Sequence, residues 1–191
     1  NATFSAAENQ TSIGTVIATD DDVDDSVTFT VSGSELSITS AGVLTFATAP
    51  DYETKKSYTA TVTASDGTNT TNQSITVNVT DVNDNSPVFT SDATFSAAEN
   101  QTAIGSVTAT DADSGDSVTF TVSGSELSIT SAGVLTFATA PDYETKTSYT
   151  ATVTASDGTN TTTQSITVSV TDVNESSVTA IADTASTDED N

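Results

Sequence analysis

The chain has 191 residues, a net charge of -24, and no cysteine, histidine, tryptophan or methionine. The lack of cysteine and histidine excludes disulfides, thiol or imidazole catalysis and the usual zinc sites. Only three residues are basic, which argues against nucleic acid as a partner. The acidic excess serves either solubility or cation binding, and the positions of the acids must decide between them.

The second half of the chain repeats the first. Glu8 recurs as Glu99, Tyr52 as Tyr143 and Asp81 as Asp172. The interval is the same each time, so no insertion separates the copies. We expect one domain over 1–85 and a second over 86–176, joined by a linker at 81–87. Residues 177–191 do not repeat the opening of either copy. They are either an acidic tail or, as their alternating apolar residues favour, the first strand of a further module.

Each copy predicts seven short strands separated by turn residues. In the first copy these fall at 2–7, 15–19, 27–31, 36–38, 43–47, 58–64 and 75–79. Apolar residues alternate with threonine, as in Val27, Phe29 and Val31. No apolar period of 3.6 residues persists, so helix is nearly absent. The pattern predicts an all-β protein of two tandem antiparallel sandwiches, each with a small core and modest stability.

One short stretch stands between the two copies, Thr-Asp-Val-Asn-Asp-Asn-Ser-Pro over residues 80–87. It contains no glycine, and Pro87 restricts the backbone at Ser86. Calcium and similar hard cations bind about 6–8 oxygen ligands from carboxylates, amide side chains and backbone carbonyls. This stretch offers all three kinds of ligand.

The run from Asp81 to Pro87 resembles the interdomain linker of cadherin repeats. Two other motifs fit the same family, Ala-Glu-Asn around Glu8 and Asp-Tyr-Glu at 51–53 after Pro50. The resemblance covers nearly all of both copies. It implies two tandem seven-stranded Greek-key β-sandwiches of the cadherin or Ig-like kind, with calcium bound at the linker.

The resemblance also implies a set of metal ligands and about three Ca²⁺ ions. Val82 and Asn85 would contribute backbone carbonyls. Ser117 stands where many cadherin repeats have asparagine, and would also act through its carbonyl. Asp81 is expected to shape the turn rather than touch the metal. The predicted ligands are Glu8, Asp51, Glu53, Val82, Asn83, Asp84, Asn85, Asp111, Asp113, Ser117 and Asp157.

Two half-sites are expected at the outer ends of the repeats. Their residues are Asp20, Asp22 and Asp66 at one end, and Glu99, Asp142, Glu144, Asn174 and Glu175 at the other. Taken singly, each such acid is commonly a turn residue. In the complete linker site, however, seven carboxylates would gather. Two carboxylates about 4 Å apart repel by about 4 kcal/mol at an effective dielectric constant of about 20. We therefore expect the metal-free junction to open and the calcium-loaded one to lock.

These features predict a calcium-dependent adhesion or structural module of an extracellular, cell-surface protein, whose composition resembles bacterial surface proteins. The alternative is a carbohydrate-binding module with Tyr52 or Tyr143 as sugar platforms, although packing beside the loop also explains these residues. No nucleophile–base pair or phosphate loop indicates an enzyme. Expected partners are neighbouring repeats and a surface protein or polysaccharide. We expect no nucleic acid, no membrane insertion and a monomer in isolation. The lysines near the Asp-Tyr-Glu motifs are expected to balance surface charge.

Overall fold

The computed structural model describes residues 1–22 and 26–175, and those residues form strands and turns without a helix. The all-β prediction is therefore confirmed over the described chain. The hypothesis that 177–191 begins a further module lies outside the described residues.

The first repeat contains seven strands in two sheets. They are β1 (Ala2–Ala7), β2 (Ser12–Thr15), β3 (Thr28–Val31), β4 (Leu36–Ile38), β5 (Val43–Phe46), β6 (Ser57–Ser65) and β7 (Thr70–Thr80). The four-stranded sheet has the order β1-β7-β6-β3 and the three-stranded sheet the order β2-β5-β4. The β1–β7 pair is parallel, while β3–β6, β6–β7, β2–β5 and β4–β5 are antiparallel.

Two strands differ from the sequence-based expectation. The strand predicted at 15–19 is wrong, because the strand lies at Ser12–Thr15 and includes Gly14 through a register shift between Ser12 and Gly14. The last strand begins at Thr70 rather than at 75. Its first five residues are exposed and polar, so no apolar alternation marks them, yet they pair with β6.

The core of the first repeat comes from inward-facing residues of both sheets. Leu44, Val77 and Ile75 are almost completely buried, and Phe46 packs edge-to-face on Tyr58 with ring centroids 5.1 Å apart. The alternation of buried and exposed positions along β6 and β7 places threonines on the solvent side. Sandwich packing follows from this pattern.

The second repeat uses the same plan, with one additional strand pair. Its strands are β8 (Val88–Phe89), β9 (Thr94–Ala98), β10 (Ala103–Ser106), β11 (Ala109–Thr110), β12 (Thr119–Val122), β13 (Leu127–Ile129), β14 (Val134–Phe137), β15 (Ser148–Ser156) and β16 (Thr161–Thr171). The sheet orders are β12-β15-β16-β9 and β10-β14-β13. The additional pair is β8 with β11.

By internal contacts the chain divides into two compact units. The first contains Asn1–Thr90 together with Ala109–Thr119 and Ala155–Thr162. The second contains Ser91–Thr108, Phe120–Thr154 and, among the described residues, 163–175. The first unit therefore includes the first repeat, the linker and two loops that follow later in the sequence. The domain boundary predicted between residues 85 and 86 stays a prediction.

Candidate metal centre

Every contact of the candidate site lies within the first compact unit. The linker residues 81–87, the Asp-Tyr-Glu loop at 51–53 and the loops at 111–116 and 157–160 all belong to it. These loops meet at strand ends, where chain reversals expose backbone groups and carboxylate side chains can converge.

Glu8 anchors the start of the linker. Its side chain is only 3% exposed. One carboxylate oxygen accepts a hydrogen bond from the Val82 backbone N–H at 2.8 Å, and the other accepts from the Tyr52 N–H at 2.7 Å. Asn9 follows with a φ of 61°, which asparagine tolerates better than most residues. Glu8 thus holds two loops together and leaves further lone pairs for a cation.

Three groups of carboxylates lie close enough to share a cation each. They are Glu8–Glu53–Asp81, Glu53–Asp84–Asp113 and Asp111–Asp113–Asp157, with one ligand oxygen per residue within 4.8 Å of the others. Calcium–oxygen distances are about 2.3–2.6 Å, so two ligands of one ion lie about 5 Å apart or less. Glu53 and Asp113 each belong to two groups, which links the three groups into a row.

Amide groups of the linker fix its position against the neighbouring loops. The Asn85 backbone N–H donates to Asp113 Oδ2 at 2.9 Å, and its side-chain amide donates to Asp113 Oδ1 at 2.7 Å. The Asn160 side-chain amide donates to Asn83 Oδ1 and to the Asn85 carbonyl, both at 2.7 Å. The Asn83 amide donates to Asp116. The linker is therefore ordered by direct hydrogen bonds.

Three carboxylate oxygens in these groups are buried and accept no hydrogen bond. They belong to Asp81 (Oδ1), Asp111 (Oδ2) and Asp157 (Oδ2). A buried, unpaired carboxylate oxygen is costly unless a donor or cation faces it. Their position among other acids means that the residues present fit a hard divalent cation.

The three lysines of the protein are engaged elsewhere. Lys55 pairs with Glu35 and Lys146 pairs with Glu126. The Lys56 ammonium lies 4.3 Å from the centroid of the Tyr52 ring. In the described contacts, the carboxylate groups are therefore compensated by amides and backbone N–H groups alone.

The pKa of Glu53 shows the resulting repulsion. Partial burial raises it above its ordinary value, and the charges of Glu8, Asp81 and Asp113 raise it further. Asp157 differs, because hydrogen bonds from the Asn160 and Thr159 backbones outweigh burial and lower its pKa. Burial and the neighbouring charges thus act against the charged form of Glu53, whereas backbone hydrogen bonds favour the charged form of Asp157.

Some predicted ligands lie outside these groups. The Asp51 carboxylate accepts hydrogen bonds from the Thr54 N–H and hydroxyl, both at 3.0 Å, which lower its pKa. Val82 is 40% exposed and Ser117 is exposed. The roles of these residues as ligands stay predictions.

Sequence reasoning missed four residues. Asp81 was expected to shape the turn, and it does accept a hydrogen bond from the Ser114 N–H. It also belongs to one of the carboxylate groups. Asn9, Asp116 and Asn160 hydrogen-bond to linker residues. The Asp-Gly-Thr-Asn sequence at 157–160 carried the only available signal for Asn160, an asparagine three residues after a predicted ligand.

The second unit has a comparable group at Glu99, Asp142 and Glu144. Glu99 is 2% exposed and accepts from the Tyr143 and Val173 N–H groups at 2.8 Å each. A backbone hydrogen bond at Glu144 lowers its pKa, but burial and the charges of Glu99, Asp172 and Asp142 outweigh that bond and raise it. The Asn100 amide donates to Glu175 at 2.7 Å.

Tyr52, one of the two tyrosines considered as sugar platforms, is partly covered by neighbouring side chains. Tyr52 is half-buried, and Lys56 lies over its ring. That arrangement fits packing beside the loop. Its counterpart Tyr143 is also half-buried.

Comparison with known proteins concerns the fold. A family model described as a bacterial Ig domain matches residues 83–171. No curated protein matches the sequence. Among solved structures, the chain is similar to mouse cadherin-23 EC22-24, with a TM-score of 0.75 and 25% identity over 91% of this chain and 64% of that one.

Two further structures show the same fold. Human protocadherin-24 EC1-2 matches with a TM-score of 0.73 and 22% identity, over 90% of this chain and 95% of that one. Drosophila N-cadherin EC1-4 matches with a TM-score of 0.70 and 22% identity, over 90% of this chain and 48% of that one. The chain thus spans less than two thirds of the mouse and Drosophila structures.

Fold and comparisons together define the class: the described chain has the fold of tandem cadherin-like repeats. Cadherin-like and Ig-like domains are structural modules. Within residues 1–22 and 26–175, no helix has the length and apolar character needed to cross a membrane.

Proposed function

We propose that this protein is a calcium-stiffened tandem module of an extracellular surface protein, in which it spaces or supports adhesive contacts. The observation that carries the proposal is the row of three carboxylate groups joined by Glu53 and Asp113. Such a row concentrates negative charge that no lysine neutralises in the described contacts. A row of divalent cations is the simplest chemistry that balances it.

Three Ca²⁺ ions would be held, one in each carboxylate group. The seven carboxylates of the three groups carry seven negative charges, and three calcium ions supply six positive ones. The Asn83 side chain and the carbonyls of Val82, Asn85 and Ser117 remain candidate neutral ligands, and Asp51 a further carboxylate ligand. The Asn83 and Asn85 oxygens each accept one bond from Asn160 and keep a second lone pair.

Calcium would act here by tying distant chain segments together. The three groups draw ligands from Asn1–Thr90, Ala109–Thr119 and Ala155–Thr162. Without the ion these carboxylates repel each other, and with it they share a counter-charge. Binding therefore favours the conformation in which the linker contacts both later loops.

The wider role follows from the class of protein. The partners of such a module would be neighbouring repeats of the same chain, together with a surface protein or polysaccharide. An extracellular, cell-surface location suits both, and the match to a bacterial Ig domain agrees with a bacterial surface protein. In isolation the chain is expected to be a monomer, because its strands present threonine-rich faces and its net charge is -24.

Thermal unfolding in calcium and in EDTA tests the proposal. A ligand at a hundredfold excess over its Kd stabilises the folded state by about 2.7 kcal/mol. For a protein of this size that raises the Tm by about 5–10 °C. Calcium at millimolar concentration should produce such a rise, and added EDTA should reverse it. Identical melting curves in calcium and EDTA would refute the metal site.

A further inference from the structure

Two exposed asparagines have a backbone geometry that few residue types adopt. Asn9 has a φ of 61°, and Asn100, its counterpart in the second repeat, has a φ of 62°. Among the described residues, these two are the non-glycine residues with a positive φ. Glycine adopts that conformation at lower cost, because it has no Cβ. Backbone conformation alone would therefore favour glycine at both positions, and it does not explain the asparagine side chain.

The side-chain amide of each asparagine makes the same contact. Asn9 donates from Nδ2 to Asp84 Oδ2 in the linker, and Asn100 donates from Nδ2 to Glu175 Oε2 at 2.7 Å. The two acceptor side chains differ in length by one methylene, yet each accepts a hydrogen bond from its asparagine. The contact lies within the first compact unit in one case and within the second in the other. It therefore recurs even though the acceptor residue differs.

The backbone that carries the Asn9 amide is anchored. The Asn9 N–H donates to the Pro50 carbonyl at 3.0 Å. The preceding residue, Glu8, is buried and accepts a hydrogen bond from the Val82 N–H at 2.8 Å. Two consecutive residues thus hold the linker at two points, Glu8 at the backbone of Val82 and Asn9 at the side chain of Asp84.

Both carboxylate oxygens of Asp84 accept hydrogen bonds. Oδ2 accepts from Asn9, and Oδ1 accepts from the Asn85 side-chain amide at 2.9 Å. The same carboxylate forms a group with Glu53 and Asp113. Because each carboxylate oxygen has two lone pairs, both Asp84 oxygens can still face a cation. Hydrogen-bond partners of this kind orient a metal ligand, and removing one typically costs about 10–100-fold in metal affinity.

We propose that Asn9 is a positioning residue, whose amide holds Asp84 in the orientation that a cation in the Glu53–Asp84–Asp113 group requires. This inference rests on the proposed calcium site. The amide is a neutral donor, so it also offsets part of the repulsion among the three carboxylates when no metal is bound. Asparagine combines tolerance of a positive φ with a side-chain donor, whereas glycine and aspartate offer only the first property.

Two variants at residue 9 separate the amide from the backbone. Asn9→Gly removes the amide and keeps the positive φ, and Asn9→Asp places a second carboxylate beside Asp84. Calcium is titrated into the intact ¹⁵N-labelled chain while the backbone amide signals of residues 82–85 and 111–113 are followed. Asn9→Gly should weaken the binding that these signals report about tenfold. The matched change Asn100→Gly should alter it less than about threefold.

Thermal melts in EDTA provide a measurement that needs no metal. If the amide supports Asp84, Asn9→Asp should lower the Tm by about 2–4 °C or more and should melt below Asn9→Gly. A role for the backbone alone predicts the opposite order, with Asn9→Gly the most stable of the three proteins and Asn9→Asp equal to the unmodified chain. That opposite order would overturn the proposal.

The calcium titration also separates this proposal from the metal site on which it rests. Equal calcium affinity in Asn9→Gly and the unmodified protein would overturn the positioning role and leave the metal site standing. Tighter binding by Asn9→Gly would show that the amide competes with the cation, which would overturn the proposal as well. An unmodified protein that binds no calcium would refute the metal site itself and, with it, this inference.

Discussion

The first unit contains two similar pairs of Asp-rich loops. One pair carries Asp20 and Asp22 in its first loop and Asp66 in its second. The other carries the counterparts Asp111, Asp113 and Asp157, and its surroundings differ. In both, the first acid closes the same local turn. Asp20 accepts from the Asp22 N–H at 2.9 Å, and Asp111 accepts from the Asp113 N–H at 3.0 Å. The loop turns are therefore specified locally and do not depend on the linker.

The difference lies in one asparagine amide. In the loop that the linker does not reach, the Asn69 side chain donates to its own neighbour Asp66 at 3.2 Å. Its counterpart Asn160 donates instead to Asn83 and Asn85 of the linker. Asp157 consequently keeps a buried oxygen without a hydrogen-bond partner.

This comparison shows what creates the candidate site. Among the described residues, Asp111, Asp113 and Asp157 form a carboxylate group, whereas Asp20, Asp22 and Asp66 do not appear in one. Asp113 is 5% exposed, and its counterpart Asp22 is exposed. Contact with the linker thus distinguishes acids whose carboxylates converge from acids that only stabilise local turns.

The largest expected effect comes from removing the charge of Asp113, one of the two carboxylates that join neighbouring groups. Asp113→Asn should weaken calcium binding about a hundredfold, because the residue belongs to both the second and the third groups. The counterpart change Asp22→Asn should alter the affinity less than about threefold. Isothermal titration of both variants decides the matter, and equal losses in the two would contradict the role given to the linker.

A smaller effect is expected from removing the side-chain amide of Asn160. In EDTA, Asn160→Ala should lower the free energy of unfolding by about 1–2 kcal/mol, because two hydrogen bonds to the linker are lost. Asn69→Ala loses one exposed bond and should cost about 0.5 kcal/mol or less. Urea unfolding measures both. A cost for Asn69→Ala that matches that of Asn160→Ala would show that linker contacts add nothing.

The smallest expected effect is a change in stability whose sign depends on whether calcium is bound. Burial and the charges of Glu8, Asp81 and Asp113 raise the pKa of Glu53 above its ordinary value, so the folded metal-free protein binds this proton more tightly than the unfolded chain does. Its charge therefore lowers stability as the pH rises from the ordinary pKa through the raised one.

Glu53→Gln should consequently stabilise the protein slightly in EDTA at pH 7, by about 1 kcal/mol or less, and destabilise it in calcium. Asp66→Asn provides the opposite case, because backbone hydrogen bonds from Asn69 and Thr68 lower the pKa of Asp66. That variant should destabilise the metal-free protein. Thermal melts with and without calcium report both signs, and a Glu53→Gln variant that is less stable in EDTA would contradict the repulsion.

The fold was predictable from the sequence because the alternation of apolar and polar residues indicates strands, and the repetition of the first half in the second indicates two copies of one domain. The apolar residues of β3 and β6 marked those strands, whereas the exposed polar residues that begin β7 gave no periodic signal. Most acids of the site were predicted through the resemblance of their motifs to those of cadherin repeats. Asn160 and Asp81 were not, because their roles depend on contacts with residues far away in sequence.

The most direct test of the central claim is a crystal structure grown in millimolar calcium, with anomalous data collected to locate the ions. The account predicts three peaks in a row, bounded by Glu8 and Asp81 at one end and by Asp111 and Asp157 at the other. Glu53 and Asp113 should each contact two of the ions. A fully occupied peak at Asp20, Asp22 and Asp66, with none at Asp111, Asp113 and Asp157, would contradict it.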